Sequence, residues 1–223
     1  MEAPVLRMTG RPVRSGSACS DNYRVKDELA RSARRTTIPQ VFEASAGLLT
    51  DRLKLVPVSV RDIDQQFALH SDPRVWTHFP SGRHVDQRQT LKQLTSFAAD
   101  WERDGLGYWN AHRRDNGAFV GIGGVRLRHG GIWNLYYRVA PGQQRQGFAV
   151  EISRAAVDTA AQIHPEAPVT AYLLEHNHAS RATAERVGLS LVWRGPDAGN
   201  PDADAVRLVY ADRPLTDAQL EID

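Results

Sequence analysis

Two stretches of the chain repeat apolar residues at steps of three and four, the spacing of one helix face. They cover 86–103 and about 145–164, and a weaker pattern of the same kind covers 60–70. A further short helix is predicted over 179–187, because Gly188 and Leu189 form the usual glycine C-cap and its apolar contact. The two strong stripes predict helices that each pack one face on a sheet. Their members are Leu91, Leu94, Phe97, Ala98 and Trp101, then Phe148, Ile152, Ala155, Ala156, Ala160 and Ile163.

Apolar runs bounded by Gly, Pro and Asn predict strands between these helices. The hairpin signal Asp115-Asn116-Gly117 separates two of them. The order β-α-α-β-β-β-α-β-α-β-β predicts an α/β or α+β fold, in which one sheet carries helices on both faces. The predicted strands are 52–57, 108–113, 118–127, 132–139, 169–174, 191–194 and 206–210.

Composition separates the first 46 residues from the rest. They are rich in Arg, Ser, Gly and Pro, and carry eight Arg or Lys against five Asp or Glu. We expect residues 1–46 to form a poorly ordered extension and residues 47–223 to form one domain. The net charge of the whole chain, +2, is too small to indicate a nucleic-acid partner.

Cysteine usage and hydropathy bear on the compartment. The single cysteine, Cys19, excludes an intrachain disulfide and fits a reducing environment. The sequence lacks the ~18–20 unbroken apolar residues of a membrane span and the apolar stretch of a secretory signal. We therefore expect a cytoplasmic protein with no membrane partner. Its eight histidines lack a metal-ligand spacing, so no metal site is expected.

A strand, a turn and a helix start meet in the sequence Val-Ala-Pro-Gly-Gln-Gln-Arg-Gln-Gly-Phe-Ala, residues 139–149. The first turn of a helix has N–H groups without partners and a partial positive charge of about 0.5 e. Gly147 would let a diphosphate approach the backbone, and Arg145 would add charge at the rim. The alternative is an ordinary strand–turn–helix junction in which glycine serves tight packing.

A second motif, Glu-His-Asn-His-Ala-Ser, covers residues 175–180. Asn177 follows a strand, and Ser180 lies in the first turn of the next helix. Capping alone explains this pattern, because Asn is among the best N-cap residues. The functional interpretation directs the Asn177 amide across a gap between strands and places the Ser180 hydroxyl beside a reacting group.

The two motifs stand in order about thirty residues apart, and together they resemble the GCN5-related N-acetyltransferase (GNAT) superfamily. The family pattern Arg/Gln-x-x-Gly-x-Gly/Ala is met by Gln144, Gly147 and Ala149. The pattern Asn-x-x-Ser followed by Gly-Phe is met by Asn177, Ser180 and Gly188, with Leu189 for the aromatic residue. The resemblance covers roughly 48–212 and is greatest to the branch that acetylates ribosomal-protein N-termini.

This resemblance implies a mixed, largely antiparallel twisted sheet of about six to seven strands, with helices on both faces and a splayed central strand pair. It implies a transferase, a monomer or homodimer, that moves an acetyl group from acetyl-CoA to a primary amine by direct attack. The acceptor would be a protein N-terminus or a small-molecule amine. The implied cofactor-binding residues are Tyr137, Arg138, Val139, Gln144, Arg145, Gln146, Gly147, Phe148, Ala149 and Asn177.

The catalytic residues depart from the family pattern. Many relatives carry a proton-donating Tyr seven residues after the Asn and a basic Glu on the strand before the glycine loop; the matching positions here are Ala184 and Asn134. Ser180 is therefore the implied donor. The base stays open between Glu175, the histidines of the second motif, and direct attack by an already neutral amine.

The resemblance places the acceptor between segments 71–84 and 195–205. From the first segment we expect Asp72, Trp76 and His78 to contribute. The second offers Asp197, Asp202 and Asp204, which either attract a cationic amine or form turns on a solvated loop. Because Ala184 and Asn134 replace reactive residues, a non-catalytic acyl-CoA-binding regulatory module is the alternative function.

Overall fold

The strand-like segments of the sequence form one sheet of eight strands in a computed structural model, which describes residues 47–220. The prediction for residues 1–46 lies outside the described residues. The sheet order is β1-β2-β3-β4-β5-β6-β8-β7, antiparallel throughout except for the parallel pair β5–β6. The strands are β1 (Leu48–Leu49), β2 (Leu53–Pro57), β3 (Tyr108–Arg113), β4 (Phe119–Arg128), β5 (Ile132–Val139), β6 (Val169–Leu174), β7 (Ser190–Pro196) and β8 (Val206–Ala211).

Five α-helices are described, joined in places by short 3-10 turns. The helices are α1 (Ile63–Ser71), α2 (Gln87–Asp104), α3 (Phe148–Ile163), α4 (His178–Arg186) and α5 (Asp217–Leu220). The 3-10 turns cover Val60–Asp62, Pro73–Val75, Pro80–Gly82 and Pro141–Gln143.

The sheet buries apolar side chains on both faces, as strand alternation requires. On β5, Trp133 and Leu135 join the hydrophobic cluster that contains Ile152 of α3. Tyr136, between them and the end of the strand, packs instead against the cluster that contains Leu94 of α2. Helix α3 lies close to the sheet because β4 has a glycine beneath it: a Cβ at Gly123 would lie 2.7 Å from Ile152 Cγ2.

Helix α3 begins later than predicted. The periodic pattern indicates a start near Arg145, but the helix begins at Phe148. Arg145 has φ 62° and Gly147 has φ 81°, and these left-handed conformations interrupt the helix. Residues 144–147 therefore form a separate loop in front of the helix.

Three other boundaries differ from the sequence prediction. The sheet gains the two-residue strand β1, which makes eight strands where six to seven were expected. Strand β7 runs on to Pro196, which is tolerated because β7 is an edge strand. The segment 60–70 begins with a 3-10 turn, held by a capping box between Ser59 and Asp62, before α1 starts at Ile63.

Candidate functional site

Strands β5 and β6 separate after two paired positions. Trp133 pairs with Val169 and Asn134 with Thr170, and no later residue of β5 pairs with β6. Strand β6 keeps its antiparallel register with β8 as far as Leu174, so it turns away from β5 together with its other neighbour. The result is a wedge that opens toward the C-terminal ends of both strands.

The wedge leaves one peptide edge of β5 free. Trp133 N–H donates to Pro168 O across this edge at 2.8 Å. Because successive peptide groups of a strand point to opposite sides, those of Tyr137 and Val139 face the same way, where β6 no longer runs alongside. The free edge offers main-chain donors and acceptors to an extended ligand.

The free edge leads into the loop before α3. Val139 O accepts a hydrogen bond from the side chain of Gln144 at 3.1 Å, and Gly142 O accepts one from Gln146 at 3.2 Å. These two side chains hold the loop in shape. Among the described residues, the amide N–H groups of residues 145–150 have no hydrogen-bond partner. Six free amides in the loop and first turn at a helix N-terminus are an arrangement that suits an anion.

Two arginines that the sequence analysis did not single out flank this loop. Arg52 donates from Nη1 to Gln146 O at 2.8 Å, and its guanidinium lies 4.5 Å from the centre of the Phe148 ring. Arg113 lies over the same ring at 5.7 Å. Glu151, in the first turn of α3, pairs with Arg52 at 2.7 Å. No sequence motif indicates these arginines, because Arg52 comes directly before β2 and Arg113 ends β3, and both meet α3 only in the folded chain.

The second motif starts helix α4 beside the wedge. Asn177 Oδ1 accepts a hydrogen bond from Ser180 N–H at 3.2 Å, so Asn177 is the N-cap. Ser180 and Asn177 both line the cleft between β5 and β6. The capping interpretation and the placement at the cleft hold together, because a cap fixes where the first turn of the helix lies.

The cleft has a volume of about 400 Å³ and collects several polar groups without partners. Asn134 Oδ1, Tyr137 Oη and Tyr172 Oη are buried and form no hydrogen bond within the described residues. Buried polar atoms are nearly always hydrogen-bonded, so three orphans in one cleft indicate a place for a ligand or for water. Asn134 and Tyr137 were indicated by the family resemblance, whereas Tyr172 was not.

The phenol of Tyr137 lies on the α4 side of the sheet, toward Ser180 and Thr183. Burial raises the pKa of Tyr137, and the nearby hydroxyls of Ser180 and Thr183 lower it, although neither forms a hydrogen bond of ordinary geometry with the phenol. Tyr137 is therefore protonated at neutral pH. Ala184, at the position where many relatives carry a tyrosine, lines the cleft beside it.

On the opposite face of β5, Arg138 is the centre of a buried network. It is 7% exposed, its guanidinium lies 3.5 Å from the centre of the Trp76 ring, and it donates from Nη1 to Val75 O. Its Nε donates to Tyr136 Oη at 2.9 Å. Tyr136 Oη lies 3.2 Å from His70 Nε2. Arg138 and His78 line the cleft from this side.

The histidines around Arg138 are neutral at pH 7. His70 Nδ1 lies 2.9 Å from Gln66 O, an atom that only accepts, so the proton is on Nδ1 and Nε2 accepts from Tyr136. Burial, with smaller contributions from His84 and Arg138, lowers the pKa of His70 to about 3. Burial and Arg138 likewise lower the pKa of His78 to about 4 and lower that of His84.

Not all of the three residues of segment 71–84 that were expected to contact the acceptor line the cleft. His78 lines the cleft, and Trp76 is buried beneath Arg138. Asp72 caps the 3-10 turn that follows it and pairs with Arg74, so it does not line the cleft. This placement gives Asp72 a structural role in the turn.

Carboxylates of the second loop and of the second motif are also taken by other partners. Glu175 is half-buried and pairs with Arg194 at 2.7 Å, outside the cleft. Asp197 lines the cleft but pairs with Arg207. Asp202 accepts from Asp204 N–H at 3.0 Å within the turn. This geometry does not favour Glu175 as a base, and Asp202 serves as a turn former.

The family model described as the acetyltransferase (GNAT) domain matches residues 52–190, more than half of the chain. The chain belongs to the GNAT acetyltransferase family. This confirms the superfamily and the mixed sheet predicted from the two motifs, and it supports acetyl transfer as the general reaction of the chain.

Individual proteins resemble this GNAT chain in sequence or in fold. The uncharacterized protein YkkB of Bacillus subtilis (strain 168) is 27% identical over 152 residues, which cover 66% of this chain and 87% of that protein. A putative GNAT-family acetyltransferase from Bordetella pertussis is 23% identical with a TM-score of 0.63, covering 74% of this chain and 98% of that one. RimL, the ribosomal L7/L12 alpha-N-protein acetyltransferase, in complex with coenzyme A, is 18% identical with a TM-score of 0.63, covering 77% and 98%.

Two further observations concern membranes and metals. No helix between residues 47 and 220 is long and apolar enough to cross a membrane. Over the same range, no three His, Cys, Asp or Glu side chains are grouped so that they could hold a metal ion.

Proposed function

We propose that this GNAT chain transfers an acetyl group from acetyl-CoA to a primary amine. The observation that carries the proposal is the continuity of the free β5 edge with the unpaired amides of residues 145–150. The edge suits the amide-bearing arm of CoA, which would add to the sheet like a short strand, and the loop suits the diphosphate. The coenzyme A complex of RimL, which has the same fold, supports CoA as the ligand.

The proposed reaction is a direct transfer. The acceptor nitrogen attacks the thioester carbonyl carbon that acetyl-CoA supplies; a C–N bond forms and the C–S bond breaks. The nitrogen gives up one proton and the sulfur takes up one, so the products are an N-acetylated amine and the CoA thiol. A peptide N–H on the free β5 edge, such as that of Tyr137, stabilises negative charge developing on the carbonyl oxygen.

For the proton that the sulfur receives, we propose Ser180 acting together with Tyr137. Both residues line the cleft, on the side where α4 begins. A serine hydroxyl is a weak acid, whereas a phenol is a stronger one, and the raised pKa keeps Tyr137 in its protonated form. In this arrangement Tyr137 takes the part that the tyrosine after the Asn plays in many relatives, where this chain has Ala184.

We propose that the acceptor attacks as the neutral amine, without a strong base. The carboxylate that lines the cleft, Asp197, is paired with Arg207, and Glu175 is paired with Arg194. His78 is neutral, but with a pKa of about 4 it has little tendency to take a proton from an ammonium group. Asn134, at the apex of the wedge, is not a base at neutral pH, and its unpaired Oδ1 would accept a hydrogen bond from the amine and orient it.

The second candidate is a non-catalytic acyl-CoA-binding module, favoured by Ala184 and Asn134 at two positions where relatives are reactive. A thiol-release assay with acetyl-CoA and a panel of amines decides between the two, with CoA affinity measured by calorimetry on the same protein. Turnover with at least one amine supports the enzyme. Saturable CoA binding without turnover for any amine supports the module, and loss of both contradicts the proposed site.

A further inference from the structure

Arg138 is a buried cation without an anion. Among the Asp, Glu, Lys and Arg residues in the described part of the chain, two are less than 9% exposed, namely Asp100 and Arg138. Asp100 is paired with both Arg126 and Arg103. No carboxylate among the described residues pairs with Arg138. A buried charge is normally paired, because desolvation without a partner costs several kcal/mol.

The guanidinium has binding capacity to spare. Its Nε donates to Tyr136 Oη and its Nη1 to Val75 O, and one face stacks on Trp76. Nη2 makes no hydrogen bond with a described residue, and Arg138 lines the cleft. A guanidinium has five N–H donors in a planar fork that matches a carboxylate or phosphate. The contacts seen here hold the group in place and leave its Nη2 donors without a partner among the described residues.

The surroundings of the guanidinium are cationic or neutral. The lining of the cleft includes Arg128, Arg138 and Arg207 but one carboxylate, Asp197, which is committed to Arg207. The histidines near Arg138 bear no negative charge in any protonation state. The cleft therefore attracts an anion, whereas the sequence analysis considered acidic residues that would attract a cationic acceptor.

We infer that the acceptor is a small primary amine that also carries a carboxylate or phosphate group, and that Arg138 binds this anionic group. The inference rests on the proposed acetyl transfer and names its acceptor class. The anion would complete the hydrogen bonding of a guanidinium that Tyr136, Trp76 and Val75 already hold in place. Because the donors are preorganised, the anion gives selectivity as well as affinity.

The test compares matched acceptors with and without the anion. One arm pairs amino acids with their amides, and the other pairs aminoalkyl phosphates with the corresponding amino alcohols. The ammonium group of an amino acid amide is more acidic than that of the amino acid itself, so a larger fraction of the amide is present as the neutral, reactive amine. This difference works against the inference. We expect kcat/KM of the wild type to favour the anionic member of at least one arm by about 30-fold, or about 2 kcal/mol. The arm with the larger ratio of kcat/KM, anionic over neutral acceptor, shows whether Arg138 prefers a carboxylate or a phosphate.

Arg138→Gln removes the charge and keeps one N–H donor near the position of Nε, which donates to Tyr136 Oη in the wild type. We expect the ratio of kcat/KM for the anionic acceptor to kcat/KM for the neutral acceptor to fall to about one in this variant, whatever its remaining activity on the neutral acceptor. Arg138→Lys keeps the charge without the fork and should retain part of the ratio. Arg88→Gln, an exposed residue on α2, makes the same charge change outside the cleft and should leave the ratio unaltered.

A wild-type preference for the neutral acceptors, or an equal loss for both members in Arg138→Gln, would overturn the inference and leave Arg138 with a packing role. Calorimetric titration of the CoA-loaded protein with the same amines separates this failure from failure of the proposed function. Arg138-dependent binding of an anionic amine without turnover would retain the anion site and reject the enzyme. Absence of such binding would reject the anion site, whether or not other amines are acetylated.

Discussion

Gly147→Glu is the sharpest test of where CoA binds. Gly147 has φ 81°, and a residue with a Cβ costs about 1–2 kcal/mol in this conformation. The strain is conformational, because the nearest atom to a Cβ here, Arg52 Nη2, would lie at 3.4 Å. Arg52 already pairs with Glu151, so it would be shared between two carboxylates and would offset only part of the new charge. At about 5 Å and an effective dielectric constant of about 20, repulsion from each diphosphate charge is about 3 kcal/mol.

These magnitudes predict that Gly147→Glu weakens CoA binding by at least about 100-fold in calorimetry. Gly105→Glu is the matched control. Gly105 has φ 68°, has open space around it, and ends α2, outside the loop. In both variants the free energy of unfolding in urea should fall by about 1–2 kcal/mol, because each places a side chain on a left-handed backbone. Gly105→Glu should nevertheless bind CoA as tightly as the wild type. Wild-type affinity in Gly147→Glu would place CoA elsewhere and remove the basis of the proposed function.

Three further predictions concern protons. Ser180→Ala and Tyr137→Phe should each lower kcat by about 100-fold with CoA affinity nearly unchanged; wild-type rates would leave both residues structural. His78 and His70 are neutral above about pH 5, so kcat/KM should rise with pH up to the pKa of the acceptor's ammonium group. The inflection of this profile should shift when the acceptor is changed. An inflection that stays fixed would reveal a base on the enzyme. The pKa of His70 is about 3 in the folded state and near 6.5 in the unfolded state, so the unfolded state binds more protons between these two pH values. The free energy of unfolding should therefore fall as the pH is lowered through this range, by up to about 1.4 kcal/mol per pH unit. Urea unfolding at pH 7, 6 and 5 should show a flatter dependence for His70→Gln; equal slopes would contradict this.

Local sequence was sufficient where the structure depends on neighbouring residues. The hairpin at Asp115-Asn116-Gly117, the buried stripe of α3 and the glycine end of α4 follow from turn and helix chemistry over a few residues. The start of α3 was wrong by three residues, because periodicity continues through Arg145 although its backbone is left-handed. A helical pattern reports which residues share a face and does not report φ.

The site was predictable as two motifs but not as a set of side-chain contacts. Gly147, Asn177 and Ser180 were indicated by the sequence, and the fold places the last two in one cleft beside the loop of the first. The sequence could not show whether Glu175 is catalytic or already paired, because its partner Arg194 lies on β7, nineteen residues further along the chain. Arg52 was equally hidden, because nearly a hundred residues separate it from Glu151, with which it pairs.

The sequence by itself determined the elements, the glycine-bearing helix start and the family, because these depend on residues close together along the chain. The tertiary structure alone decided that β5 and β6 part after Asn134, that the acidic side chains near the cleft are already paired, and that Arg138 is buried without an anion. Charge balance and desolvation depend on distances between segments remote in sequence, and packing of the whole sheet sets those distances.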